Sequence, residues 1–219
     1  SKSGPSLSIG PQGAKVTIGK SGTRATGGIP GSGLFYSTKL DKVVEKATGK
    51  SSRSEKGDKP GSVAPATAEE KIFVEGCEQL VQGDASSALE RFSRVASLPD
   101  GAFMSGWVSL SNGDSENAEK ELSRALERAS ELGQLADRLV DGFELSLPIT
   151  DELQATMKPS ERAALLGLVE IYQIQERYPE AISVLGRLRE LDPTDEVALL
   201  SLVELLTEAS GAEKSTAKH

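Results

Sequence analysis

Two periodicities divide the chain. Over residues 6–38 apolar and polar positions alternate, Leu7 and Ile9 with Ser6 and Ser8, then Val16 and Ile18 with Lys15 and Thr17. That is the period-2 pattern of half-buried strands. Between the runs lie Gly10-Pro11-Gln12-Gly13, Gly19-Lys20-Ser21-Gly22 and Pro30-Gly31-Ser32-Gly33. Gly there supplies positive φ and Pro presets a turn position. The expectation is a small antiparallel β-meander over residues 1–40, its apolar face thin enough to need a partner surface. Residues 41–47 read as a short helix. Residues 48–66, rich in Gly, Ser, Lys and Pro with almost nothing apolar, read as a flexible linker.

From Thr67 the period becomes helical, with Glu70 placed to close a capping box. Gly83-Asp84 and Asn112-Gly113-Asp114 are signals for tight turns between helices. The last periodic stretch, from about Thr194 to Ala209, repeats Val197, Leu200, Val203 and Leu206 and is expected to cap the array. Residues 210–219 are expected to be a disordered tail.

Tyr172, Ala181, Leu185, Leu188 and Pro193 stand at the spacing of a tetratricopeptide repeat signature, and weaker copies surround Ala88 and Ala118. Gly76 and Phe92, then Gly106 and Leu122, fill the matching places of the first two copies. The stretch resembles tetratricopeptide repeats, with departures: Gln79 and Ser109 replace the first-helix aromatic. The key alanines are 30 and then 63 residues apart, against a usual repeat of about 34. The surplus holds the alternation Phe143, Leu145, Leu147, Ile149, followed by Leu153, Ala155 and Met157. Two readings are open for 143–157: an inserted β-hairpin, with Pro148 marking an edge strand because it lacks a ladder donor, or a loop and a short helix. The resemblance implies a mainly α fold, a TPR-like α/α helical-hairpin solenoid over residues 67–209. Such hairpins cannot bury their apolar faces alone, so they stack and leave a concave surface for a partner.

The Gly-rich start carries a second resemblance. Ser3-Gly4, Ser8-Ile9-Gly10, Gly13 through Gly19, Gly22-Thr23-Arg24, Ile29-Pro30-Gly31 and Gly33-Leu34 resemble a bacterial domain of unknown function, number forty-two thirty-six among such families. It implies no activity.

Charge sharpens the division. Residues 1–65 hold 11 Lys and Arg against 4 Asp and Glu, roughly +7, and residues 66–219 hold roughly −15, within a net charge of −8. Opposite signs in two halves mark a boundary and favour docking of the basic module on the acidic one. No apolar run reaches the ~20 residues of a membrane span. Ser1 to Gly10 carry no signal pattern. With no initiator Met the natural start is open, and the expected compartment is the cytoplasm.

Candidate chemistry is sparse. The single histidine is His219, the last residue, and the single cysteine is Cys77. A histidine base would rest on a fraying terminus, and Cys77 in an apolar helix is more often a small buried hydrophobe than a nucleophile. Gly19-Lys20-Ser21 formally ends a phosphate-loop pattern, but Val16-Thr17-Ile18 is a stiff β-forming run and Gly22 to Pro30 cannot be the helix such a loop opens. No cofactor, metal site or enzymatic activity is expected.

The expected function is therefore non-catalytic binding of a protein or peptide. Repeat geometry places Phe73, Cys77, Phe103, Trp107, Glu170 and Gln173 on the concave face, where large aromatics serve as anchors. The competing reading has the same side chains filling gaps between helices. Glu75, Glu78, Glu170 and Glu176 make the first helices acidic and favour a basic partner segment. The alternative is nucleic-acid or anionic-surface binding through Lys15, Lys20, Arg24 and Lys39 of the meander. Only Phe35 and Tyr36 are available there for stacking, so nucleic acid is the weaker expectation.

Overall fold

The computed structural model describes residues 6–9, 14–19, 22–28, 35–39, 64–140, 144–148 and 154–216. The short helix expected at 41–47 and the linker through residue 63 lie outside the described residues. The described chain is mainly helical. Strands β1 (Ser6–Ile9), β2 (Ala14–Gly19), β3 (Gly22–Gly28) and β4 (Phe35–Lys39) precede helices α1 (Ala68–Val81), α2 (Ala85–Arg94), α3 (Pro99–Ser111), α4 (Ser115–Leu126) and α5 (Gln134–Leu139). Strands β5 (Glu144–Pro148) and β6 (Gln154–Met157) follow, then α6 (Glu161–Ile174), α7 (Tyr178–Leu191) and α8 (Glu196–Thr216).

Three helix pairs pack as hairpins, α1 with α2, α3 with α4 and α6 with α7, and α2·α3, α4·α6 and α7·α8 contacts join them in chain order. The turns repeat one chemistry. The N–H of Asp84 donates to the Gln79 carbonyl at 2.9 Å, that of Asp114 to Ser109 at 2.9 Å, and that of Arg177 to Tyr172 at 2.8 Å. A second bond, spanning three residues instead of five, comes from the preceding residue in each: Gly83 to Leu80, Gly113 to Leu110 and Glu176 to Gln173. This is the Schellman pairing, which needs a left-handed residue after the helix. Gly83 and Gly113 supply it, with φ of 85° and 84°, whereas Glu176 takes φ of 58° without the freedom of glycine. Asp84 and Asp114 then cap α2 and α4 by accepting from Ser87 and Asn117 N–H.

The same offsets recur in the second helices. Ala88, Phe92 and Val95, then Ala118, Leu122 and Ala125, then Ala181, Leu185 and Leu188 are all buried to within 1%. Small residues on the facing helices let the pairs approach. A Cβ added at Gly106 would stand 2.8 Å from Leu122 Cγ and 2.9 Å from the Leu122 backbone nitrogen.

At α1 the cap forms as expected on one side, Glu70 N–H donating to Thr67 Oγ1 at 3.1 Å. The Glu70 carboxylate, however, reaches back to the Ala66 N–H at 2.7 Å rather than to Thr67. Buried carboxylates cap other helices. Asp195 accepts from the Ala198 N–H at 3.0 Å at the start of α8 and pairs through both oxygens with Arg162 of α6. Arg162 holds the Asp195 carboxyl below its ordinary range against the opposing effect of burial, with the Ala198 N–H adding to the lowering. Asp100 of α3 accepts from the backbone N–H groups of Gly133 and Ala136 and so caps α5. Burial outweighs those bonds and raises its pKa.

The strands form one sheet in the order β4-β3-β2-β1-β5-β6, every neighbouring pair antiparallel. The segment 143–157 contributes β5 and β6. Pro148 does not mark an edge strand: β5 is interior, between β1 and β6. Proline is accommodated because it stands at the end of β5, past the β1 register, which closes at Ser6 opposite Ser146.

Two further expectations are corrected at the C-terminal end. Of the apolar repeat expected to cap the array, Val197 packs against the core, but Leu200, Val203 and Leu206 are 43%, 63% and 51% exposed. Ala198, Ser201 and Leu205 are buried instead. The tail expected to be disordered from residue 210 is helical to Thr216, since Ala212, Glu213 and Lys214 are good helix formers.

Gly106→Ala should destabilise the protein by about 1–3 kcal/mol in urea denaturation, because the added methyl overlaps backbone as well as side chain. For Asp195 the lowered folded pKa fixes the sign. Its stabilisation is complete above the unfolded value of 3.8 and is lost as pH falls through the folded value. Asp195→Asn keeps a capping oxygen but loses the charge paired with Arg162, so it should cost about 1 kcal/mol at neutral pH, and its stability difference from the wild type should shrink when urea midpoints are measured below about pH 4.

Candidate functional site

The expected concave-face anchors are core residues. Phe73 and Cys77 on α1 and Phe103 and Trp107 on α3 are 0%, 3%, 0% and 0% exposed, and all belong to one cluster. Phe103 and Trp107 stack at 5.7 Å and 21°. A Cβ added at Gly167 of α6 would lie 3.2 Å from Trp107 Cζ3, so the indole fills the space where α3 meets α6. Phe73 packs on Phe92 of α2 at 5.7 Å. The gap-filling reading describes these side chains in this conformation, and they offer no surface to a partner.

The reason is that α3 is enclosed. Residues Asp100–Ser111 are all buried, and α2, α4, α5, α6 and β1 all pack on α3, while α1 lies against both β1 and β2. Burial likewise pushes the Cys77 thiol far up, with Asp100 and Glu78 adding to the shift, which removes the thiolate a nucleophile needs. Among the described residues no group of His, Cys, Asp and Glu side chains could hold a metal ion. No described helix is long and apolar enough to cross a membrane.

Glu170 and Gln173, the polar pair of the expected face, are half-buried on α6. The neighbouring chemistry on that hairpin is an Arg177 network. Its guanidinium lies 4.4 Å over the Tyr172 ring and donates to Glu119 of α4 at 2.8 Å and to Glu180 at 2.9 Å. Burial first, then the Glu119 carboxylate, raises the Tyr172 hydroxyl pKa. This network ties the second hairpin to the third and is structural.

A cleft of about 360 Å3 opens where the starts of α1 and α3 meet the α5 region, a volume in the range of small-molecule and side-chain pockets. Sequence reasoning missed it because its walls come from segments up to about 70 residues apart. Its polar lining is Glu69, Glu70, Asp100 and Glu131 with Arg128 and Arg138. Both arginines are engaged by carboxylates, Arg138 with Glu70 at 2.6 Å and Arg128 with Glu131. Acids outnumber bases, and Glu69 at the rim is exposed, so the cleft favours a cationic group.

The alternative set is ordered by sheet register. Arg24 stands opposite Lys39, and Lys15 opposite Thr26. Since facing residues and alternate residues share a sheet face, Lys15, Arg24 and Lys39 occupy the same face. Lys20 lies outside the described residues. By the register, Leu7, Ile9, Val16, Ile18, Ala25, Leu145 and Leu147 share one face, joined by Thr23 and Thr38, and Ser6, Ser8, Thr17 and the basic residues share the other with Phe35.

Comparison with known proteins bears on the strand region. No curated protein matches the chain. Residues 1–37 match the family described as a protein of unknown function, DUF4236. The match covers β1 to β3 and the beginning of β4, and leaves the helical hairpins outside it.

Proposed function

We propose that the chain is a non-catalytic protein-interaction module whose helical part is a TPR-like solenoid, and that it takes a basic partner segment in the acidic cleft. The observation that carries the solenoid reading is the threefold recurrence of one hairpin: the same buried offsets after Ala88, Ala118 and Ala181, and the same Schellman turn before each second helix. Arrays of such hairpins work by presenting surface rather than by reaction chemistry. A basic partner is supported by the net charge of −8, concentrated after residue 65, and by the carboxylate excess around the cleft. Phe73, Cys77, Phe103 and Trp107 are no part of this reading; their role is to hold the hairpins together.

Fluorescence anisotropy with the full chain tests it, using labelled Lys/Arg-rich and Glu/Asp-rich peptides of equal length. The basic peptide should bind more tightly and weaken with salt. Glu69→Lys, which alters an exposed rim charge, should weaken it about fivefold, the effect of roughly 1 kcal/mol. Equal affinity for both peptides removes the cleft from the account.

A second reading is supported by the opposition of Arg24 and Lys39. Like charges directly across a ladder repel, and a bound phosphate relieves that cost. In this reading the basic sheet face with Lys15, Arg24 and Lys39 contacts a nucleic acid or an anionic surface. Titration of labelled duplex DNA at low ionic strength should then show binding with a steep salt dependence, reduced by Arg24→Glu. An absence of binding at low salt eliminates DNA as the ligand.

A further inference from the structure

The sheet joins parts of the chain that lie far apart in sequence. β1 is held between β2 of its own N-terminal stretch and β5, which enters between the second and third helical hairpins. On the β5 side the register runs Ser6–Ser146, Leu7–Leu145, Ser8–Glu144. Leu145 is fully buried and belongs to the same cluster as Phe73, Phe103 and Trp107. The face that carries Leu145 also carries Leu7, Ile9, Val16 and Ile18 by register. β1 lies against α1 and α3, and β2 against α1. A sheet with one apolar face, four of its strands from a basic stretch, thus meets the first helices of an acidic helical array.

We infer that the N-terminal strands, β1 to β4, are the helical part's own ligand: β1 adds as a strand to the β5–β6 hairpin, and the apolar sheet face covers α1 and α3. The partner of the face where an external peptide would be expected is therefore within the same chain. Backbone pairing along β5 supplies register, the apolar face supplies affinity, and the opposite charges of the two regions favour encounter. Any other segment that reaches this face must be extended, alternate in polarity as β1 does, and displace β1 from β5. This inference stands apart from the acidic cleft and survives if basic peptides fail to bind.

The test uses the full chain with a single site-specific protease sequence replacing residues 51–57. After cleavage, size-exclusion chromatography and native mass spectrometry should show the two pieces travelling together in a 1:1 complex of the uncut mass. Ser8→Pro removes a ladder donor from an interior strand, and after cleavage the pieces of this variant should separate while the large one keeps its helical circular dichroism. Hydrogen exchange adds a measurement that needs no variant: the amides of residues 144–147 should be protected in both the uncut and the cut wild-type protein. Separation of the wild-type pieces on cleavage, or unprotected β5 amides, overturns the inference.

Discussion

A helix enclosed on every side must let its neighbours come close and must leave none of its own polar groups without a partner. Helix α3 meets both demands through small and short polar residues. Gly106 admits Leu122 of α4 at a distance no side chain would tolerate, and Trp107 reaches the gap over Gly167 of α6. Its buried polar groups are satisfied locally. Ser111 donates to the Trp107 carbonyl at 2.9 Å, Ser109 accepts from Asn117 at 2.7 Å, and Asp100 receives two backbone N–H groups from the start of α5. Unsatisfied, each such group would cost on the order of 1–3 kcal/mol. The hairpins on either side, the α5 cap and the sheet are all positioned against this one helix.

That enclosure redirects the functional question. Aromatic residues on the first helices of a hairpin array would ordinarily serve a groove, but here they are fully used in packing. Surface chemistry falls to the periphery instead: to the cleft with its two arginine–carboxylate pairs, and to the sheet face that carries Lys15, Arg24 and Lys39. The partial burial of the Arg162–Asp195 and Arg138–Glu70 pairs fits the same division. Charge is tolerated where it caps or clamps a helix end and is absent from the aromatic centre.

Much of the fold was legible from local signals. Gly83-Asp84 and Asn112-Gly113-Asp114 announced two inter-helix turns because a left-handed residue followed by a capping carboxylate is a local requirement of the backbone. Ala88, Ala118 and Ala181 announced the buried faces of the second helices, where each is fully enclosed. Glu176 hid the third turn, since a non-glycine residue rarely accepts positive φ. In α8 the apolar repeat Leu200, Val203 and Leu206 is exposed while Ala198, Ser201 and Leu205 are buried, because which face meets the array is set by its neighbours and not by hydrophobicity alone.

By itself the sequence determined the division into a strand region and a helical region, two of the inter-helix turns and the division of charge, all properties of neighbouring residues within about one turn or one ladder rung. Tertiary structure decided which surfaces remain available. The choice of Trp107 and Phe103 as core, the assembly of the acidic cleft from distant segments, and the placement of β1 beside β5 depend on contacts between residues up to about 140 positions apart. No local periodicity encodes such contacts, because the same apolar face is equally suited to a neighbouring helix, a partner's peptide or the chain's own strands.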